Sequence, residues 1–422
     1  MSVIQIRGGR PLSGSVRIQG AKNSVLPLLA ATLLAEGECV LHNCPNLTDV
    51  DHTLEILRSL GCRVKREGDT VTVDPSAPTG YTISDTLMRE MRSSVVFLGP
   101  ILGRMGRARL SYPGGCELGP RPIDLHMASL RAMGARIEEQ EGHLECLGGL
   151  TGAEIVLSLP SVGCTENIML AAVRADGVTT VHNAAREPEI VELQDFLNAM
   201  GADVRGAGTS MLTVRGGRPL HGAEHTVRPD RIVACTYLSA VASAGGEGEV
   251  TGVDWRQLST VTSVLTEAGC RVKSGPDAIF IAAPERLKAV RPVRTAPYPG
   301  FPTDAQAVVM AALCKGEGAT VFVENMFSAR YRHVDELARM GADIRVEGKV
   351  AVVCGVPALH GAKVRSTDLR GGAALAVAGV GAQGETLISG VYHIDRGYQD
   401  LCSDLACLGA KIVRLNTTKE EI

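Results

Sequence analysis

Leu57-Arg58-Ser59-Leu60-Gly61-Cys62-Arg63-Val64 is one of six copies of a single pattern, Leu-x-x-apolar-Gly-(Ala or Cys)-x-(Val or Ile). The other five read LRAMGARI, LNAMGADV, LTEAGCRV, LARMGADI and LACLGAKI, with their glycines at Gly134, Gly201, Gly269, Gly341 and Gly409. Successive glycines lie 73, 67, 68, 72 and 68 residues apart, a period held across almost the whole chain. Such a period marks a repeat architecture. In each copy an amphipathic helix stops at a glycine suited to the left-handed position after a helix, and a Val or Ile then opens a strand. A second helix-glycine-strand signal precedes the pattern, as in IMLAAVRADGVTTVHN (residues 168–183) and MAALCKGEGATVFVEN (residues 310–325). A third lies between units: IRGGRPLSGSVRI (residues 6–18) is echoed by VRGGRPLHGAEHTV (residues 214–227) and reads as strand, tight turn, strand.

Six units of about 70 residues exceed what one core accommodates, so two domains of three units each are expected. The amino-terminal hairpin looks displaced from the sixth unit. The first domain is therefore assigned residues 22–229, and the second residues 1–21 together with 230–422. The class is α/β.

The 422 residues are 45% hydrophobic and 21% charged, which excludes disordered, collagen-like and disulfide-scaffold classes. A net charge of −3 from 43 basic and 46 acidic residues gives no overall basic field for nucleic acid. The longest apolar run, residues 25–35, is too short to span a bilayer. The first residues alternate like a strand rather than a secretion signal, so a cytoplasmic location is expected. Twelve cysteines with no CxxC fit reduced thiols, most of them small buried residues. No HxH or HExxH spacing supports a metal, and no P-loop or dinucleotide fingerprint supports a nucleotide cofactor.

If each unit opens a helix after its hairpin, the six helix starts fall near Lys22 and Asn23, Arg89 to Arg92, Ser161 to Gly163, Asp230 and Arg231, Thr303 and Asp304, and Asp368 to Arg370. Ser, Thr or Asp at any one of these is ordinarily a cap. Six such starts with clustered Lys and Arg point instead to an anion site, because helix starts offer unpaired N–H groups and partial positive charge. The stretch YPGGCELGPRPIDLH (residues 112–126) is the least repeat-like, rich in Gly and Pro. Its Cys116, in a polar glycine loop close to Arg121, reads as an exposed functional thiol. In YPGFPTD (residues 298–304) three bends lead to Asp304 at a helix start.

Together QGAKNS (residues 19–24), PGGC with RPIDLH (113–116 and 121–126), PSVG (160–163), NAAREPEIV (183–191), PDRI (229–232), FPTD (301–304), HVDEL (333–337), TDLR (367–370) and YHIDRGY (392–398) resemble the enolpyruvyl transferase family, in particular its branch acting on UDP-N-acetylglucosamine. The resemblance covers nearly the full length. It implies a two-domain inside-out α/β barrel with three repeats per domain and the active site in the cleft between them. It also implies transfer of enolpyruvyl from phosphoenolpyruvate to the sugar 3-hydroxyl, the first committed step of peptidoglycan synthesis, with no cofactor, metal or obligate protein partner.

The same resemblance assigns roles. Asp304 is the base for the hydroxyl, and Cys116 is the acid that protonates C3, forms a phosphoenolpyruvate adduct and is alkylated by fosfomycin. Lys22 and Arg396 are catalytic cations. Lys22, Asn23, Arg121, Arg370 and Arg396 bind phosphoenolpyruvate, for which guanidinium forks are suited. Asn23, Arg92, Arg121, Pro122, Ile123, Asp124, Leu125, Ser161, Val162, Gly163, Asp304, Met326 and Arg330 bind the UDP-sugar. The chain departs from the family at Phe327-Ser328-Ala329, where an acidic residue and Asn are common, and at Leu159. Gly371-Gly372 falls in a first helical turn, where glycine costs up to about 1 kcal/mol relative to alanine. Two alternatives stay open: an idle paralogue that binds UDP-sugar, and the branch acting on 3-phosphoshikimate, which lacks the PGGC and RPIDLH segments.

Overall fold

The computed structural model describes residues 2–111, 123–140 and 142–416, with only the backbone at Arg92. Its strands form six separate four-stranded sheets. In each, a parallel edge pair continues into two antiparallel neighbours, as in the sheet where Glu154–Val156 runs parallel to Val178–His182, which pairs antiparallel with Met211–Arg215 and that in turn with Asp203–Arg205. The repeat in sequence is thus a repeat of strand order. No sheet closes on itself into a hydrogen-bonded barrel among the described residues.

In each unit three helices lie inside, and the sheets and the remaining helices lie outside them. We number six inner helices: α1 (Lys22–Thr32), α2 (Leu98–Met105), α3 (Val162–Ala172), α4 (Arg231–Ala244), α5 (Thr303–Leu313) and α6 (Leu369–Gly381). Each is apolar nearly all round. In α1 every residue but Asn23 is buried, and in α6 every residue but Leu369. The strands instead alternate buried and open residues, the signature of a sheet with one face in water. An outer helix in each repeat ends at the patterned glycine, and all six glycines have positive φ, between +88° and +102°.

The described residues divide into two compact units, one of residues 20–111, 123–140 and 142–228 and one of residues 2–19 with 229–416. Each sheet lies wholly within one unit, and each unit has its own buried apolar cluster. In the second unit α4, α5 and α6 pack on one another, and in the first α2 packs on α3.

The tight hairpins expected between units are not hairpins. Ser2–Arg7 pairs with Glu385–Ser389 and Lys411–Asn416, whereas Leu12–Arg17 runs parallel to Gly246–Thr251 in another sheet. The glycine pair between them is a crossing from sheet to sheet. A Cβ at Gly8 would stand 2.1 Å from the Gly379 carbonyl oxygen, and one at Gly216 would stand 2.2 Å from that of Ala175. Glycine is needed there because the crossing runs over the carboxyl end of an inner helix.

The second helix start also differs. In place of one helix opening near Arg89, the chain forms Asp85–Glu90, a 3-10 turn Arg92–Phe97 and then α2. Met91 between them is extended, and the Ser94 hydroxyl bonds back to its carbonyl, the local competition by which Ser disfavours a continuous α-helix. Of the eleven described cysteines, eight are buried, Cys354 and Cys402 are half-buried, and Cys407 is exposed, so burial does not extend to all of them. Among the described residues no helix is long and apolar enough to cross a membrane.

Candidate functional site

In the unit of residues 20–228, α1 opens without a side-chain cap, since Ala21 occupies that position. Lys22 is its first residue. Its Nζ lies 2.6 Å from Oδ2 of Asp49, with side-chain exposures of 11% and 1%. Removing one partner of so buried a pair strands the other charge. Asp49, on the first turn of the outer helix Thr48–Ser59, therefore fixes the Lys22 ammonium at the helix start. Asn23 beside it is half-buried.

Ser161 caps α3 by accepting from the Cys164 N–H, and Val162 and Gly163 are half-buried in its first turn. A Cβ on Gly163 would stand 3.4 Å from Cε1 of His126. The Asn167 amide donates to Nδ1 of His126 at 2.9 Å and to the Val95 carbonyl at 2.8 Å, and it accepts from the Gly99 N–H at 2.6 Å. In that network Nδ1 is an acceptor, so the ring proton sits on Nε2. Four elements are joined by it: the 3-10 turn Arg92–Phe97, α2, α3 and the helix Asp124–Ala132. Ile123, just before that last helix, is buried, Asp124 is exposed and Leu125 is half-buried. Arg92 is the first residue of the 3-10 turn. Cys116, Arg121 and Pro122 lie outside the described residues.

One turn beyond Gly163, Glu166 is buried, and burial, then Glu189 and Glu187, push its carboxyl up to about 8. A folded-state value above the unfolded one stabilises the fold below the unfolded value, and that contribution is lost as pH rises through the folded one. Stability should therefore fall between about pH 4.5 and pH 8 through this residue. Glu166→Gln should flatten that slope and raise stability at pH 9 by about 1–4 kcal/mol, read from urea midpoints. An unchanged slope would show that Glu166 is not its source.

In the other unit, Pro302 precedes α5 and no side chain caps it. Asp304, the second residue, is not a cap: its Oδ1 accepts from Arg330 and its Oδ2 from Arg370 at 3.2 Å. Both guanidiniums are buried, at 2% and 4% exposure, while the carboxylate retains 28%. Arg330 also donates to the Thr303 carbonyl, from Nε at 3.2 Å and Nη2 at 3.1 Å. Burial works against the charge of Arg370, yet Asp304 and then Tyr398 outweigh it and hold the guanidinium above its ordinary value. The Tyr398 hydroxyl accepts from Arg370 at 3.5 Å and shares a 2.7 Å bond with Thr236.

Asp368 caps α6, accepting from the N–H groups of Arg370 and Gly371 at 3.0 Å each. This accounts for the two glycines. A Cβ at Gly371 would stand 2.7 Å from Oδ2 of Asp368, and one at Gly372 would stand 2.3 Å from Oγ of Ser366. Arg396 is half-buried at the end of a 3-10 turn, Val391–Arg396, that packs on α6. Met326 is 36% exposed. Among the described residues no group of three or more His, Cys, Asp or Glu is placed to hold a metal.

The structure thus brings Asp304, Arg330 and Arg370 into one cluster, with Tyr398 beside Arg370, and in the other unit it marks Asp49, His126 and Asn167; sequence reasoning singled out none of Tyr398, Asp49, His126 and Asn167. The repeat held a signal for one of them. Shifting the chain by the 140 residues from Gly61 to Gly201 lays Asp49 on Glu189, another buried carboxylate in the first turn of an outer helix.

The family model described as EPSP synthase (3-phosphoshikimate 1-carboxyvinyltransferase) matches residues 6–405. UDP-N-acetylglucosamine 1-carboxyvinyltransferase 2 of Caldanaerobacter subterraneus subsp. tengcongensis is 50% identical over 416 residues, which is 98% of this chain and 100% of that one. UDP-N-acetylglucosamine 1-carboxyvinyltransferase 1 of Symbiobacterium thermophilum is 49% identical over 417 residues, 97% and 94% of the two chains. Among solved structures, the enolpyruvyl transferase NikO from Streptomyces tendae superposes with a TM-score of 0.88 at 26% identity over 99% of both chains. EPSP synthase from Acinetobacter baumannii does so at 0.73 and 19% identity, over 99% of this chain and 100% of that one, a likeness of fold alone. By family match and by identity over nearly its whole length, the chain belongs to the EPSP synthase family of enolpyruvyl transferases.

Proposed function

We propose that the protein transfers the enolpyruvyl group of phosphoenolpyruvate to the 3-hydroxyl of UDP-N-acetylglucosamine and releases phosphate. The observation that carries this reading is the Asp304 carboxylate at the uncapped start of α5, held by two buried arginines and still partly open. Relatives about half identical to this chain bear the name of that activity, whereas the solved EPSP synthase is 19% identical and shows the fold alone.

Asp304 takes the proton of the 3-hydroxyl as its oxygen bonds to C2 of phosphoenolpyruvate. Cys116 delivers a proton to C3, which gives a tetrahedral phospholactoyl adduct. Loss of the C3 proton and breakage of the C2–O bond to phosphate then restore the double bond. Lys22, Arg121, Arg370 and Arg396 balance the carboxylate and phosphate of the donor, and Asn23, next to Lys22 in the chain, also binds it. The N–H groups at the start of α3, next to Ser161, Val162 and Gly163, suit the diphosphate of the acceptor. Arg92, Arg121, Pro122, Ile123, Asp124 and Leu125 take its nucleotide, and Met326 and Arg330 its sugar. The same reading makes Cys116 the target of fosfomycin and places the protein in the cytoplasm at the entry to peptidoglycan synthesis.

Phosphate release from phosphoenolpyruvate tests this, with UDP-N-acetylglucosamine and 3-phosphoshikimate as alternative acceptors. Release with the UDP-sugar alone is expected. Release with 3-phosphoshikimate alone would assign the chain to the other branch, and none with either, in protein that still binds UDP-sugar, would make it an idle paralogue.

A further inference from the structure

The stretch 324–330 is clamped at both ends to the first turn of α5. At one end Glu324, 1% exposed, accepts four hydrogen bonds. Its Oε1 takes the Thr295 hydroxyl at 2.9 Å and the backbone N–H groups of Met326 at 2.8 Å and Phe327 at 3.2 Å. Its Oε2 takes the Thr303 hydroxyl at 3.0 Å. At the other end Arg330 donates to the Thr303 carbonyl and to Asp304. The loop between the clamps, residues 325–329, is thereby held as a preformed shelf over the helix start that carries Asp304. A buried carboxylate that accepts four hydrogen bonds, three of them on one oxygen, is costly to disturb, and its four donors come from three different segments.

We infer that Glu324 is the positioning residue that sets the acceptor sugar against Asp304, acting through the backbone of residues 326–327 and the Thr303 hydroxyl. This rests on the roles given above to Met326 and Asp304. Glu324 is 1% exposed, so it acts through its hydrogen-bond donors rather than by touching a substrate. It fixes the distance between the part of the loop that meets the sugar and the carboxylate that takes its proton. The phosphoenolpyruvate contacts at Lys22, Arg370 and Arg396 lie on segments that Glu324 does not bond, and Arg370 is linked to it only through the first turn of α5, so its loss should fall mainly on the acceptor sugar.

Glu324→Gln keeps the size but turns one acceptor into a donor facing N–H or O–H groups. Steady-state kinetics should show KM for UDP-N-acetylglucosamine raised about 10-fold or more, KM for phosphoenolpyruvate within about 2-fold, and a lower kcat, the pattern of lost acceptor positioning. Thr303→Val, which removes only the bond to Oε2, should shift the same KM in the same direction by less, and it decides the matter if Glu324→Gln does not fold. Unchanged constants, or equal loss on both substrates, would overturn the inference. Wild-type protein that fails to use the UDP-sugar at all would instead overturn the reaction assigned above, so the two failures are told apart.

Discussion

Replacing Asp304 by alanine is expected to cut turnover by about 10²–10⁴-fold, the contribution of a positioned general base, while UDP-N-acetylglucosamine still binds. The geometry sharpens the expectation. Each carboxylate oxygen of Asp304 accepts from a different buried guanidinium, so the side chain has two tasks: taking the proton and holding Arg330 and Arg370 in place. Removing it leaves two buried cations with fewer partners. A stability loss of about 1–3 kcal/mol should follow, below the full figure for a buried pair because the carboxylate is partly open. Asp304→Asn separates the two tasks, since the amide oxygen can still accept from one arginine but takes up no proton. Activity lost in both variants marks Asp304 as the base. Activity kept in Asp304→Asn would reduce its role to placing the arginines, and unchanged turnover in the alanine variant would remove it from the reaction.

The second large effect lies at Lys22. Asp49→Ala should destabilise the unit of residues 20–228 by about 3–5 kcal/mol, because the ammonium it pairs with is almost wholly buried. Turnover should fall with it, since Lys22 loses the carboxylate that lies 2.6 Å from its ammonium at the start of α1. The paired change Lys22→Met with Asp49→Leu is the informative control. A buried ion pair replaced by apolar groups of similar volume is often neutral in stability. That variant should recover most of the urea midpoint and none of the activity. Recovered activity would show that the Lys22 charge is not needed. If the single variant lost less than about 0.5 kcal/mol, the pair would be no better than a surface contact.

What could be read in the sequence was whatever is encoded locally. The six glycines mark helix ends because the left-handed conformation excludes most side chains, and the inner helices show as apolar runs because protein packs around most of their surface. Asp304 and Arg370 could be picked out because both stand at helix starts. Strand partners could not. Alternation along Ser2–Arg7 and Leu12–Arg17 says which residues face inward but not which strand lies alongside, and the partners prove to be hundreds of residues away. The contacts of Asp304 with Arg330 and Arg370 span 26 and 66 residues, and the four bonds of Glu324 join three segments. Pairings of that kind are made by packing, so a residue such as Glu324 looks like any other acidic residue until the fold buries it. The Gly371-Gly372 pair was opaque for the same reason: its cause is the Asp368 and Ser366 side chains that occupy the space.

The most direct test of the central claim is the structure of the product. Purified protein incubated with phosphoenolpyruvate and UDP-N-acetylglucosamine should yield, by mass spectrometry and proton NMR, a UDP-sugar bearing one carboxyvinyl ether on O3, with one phosphate released per ether formed. Phosphate released while the sugar stays unmodified, or a carboxyvinyl group found on 3-phosphoshikimate instead, would contradict it.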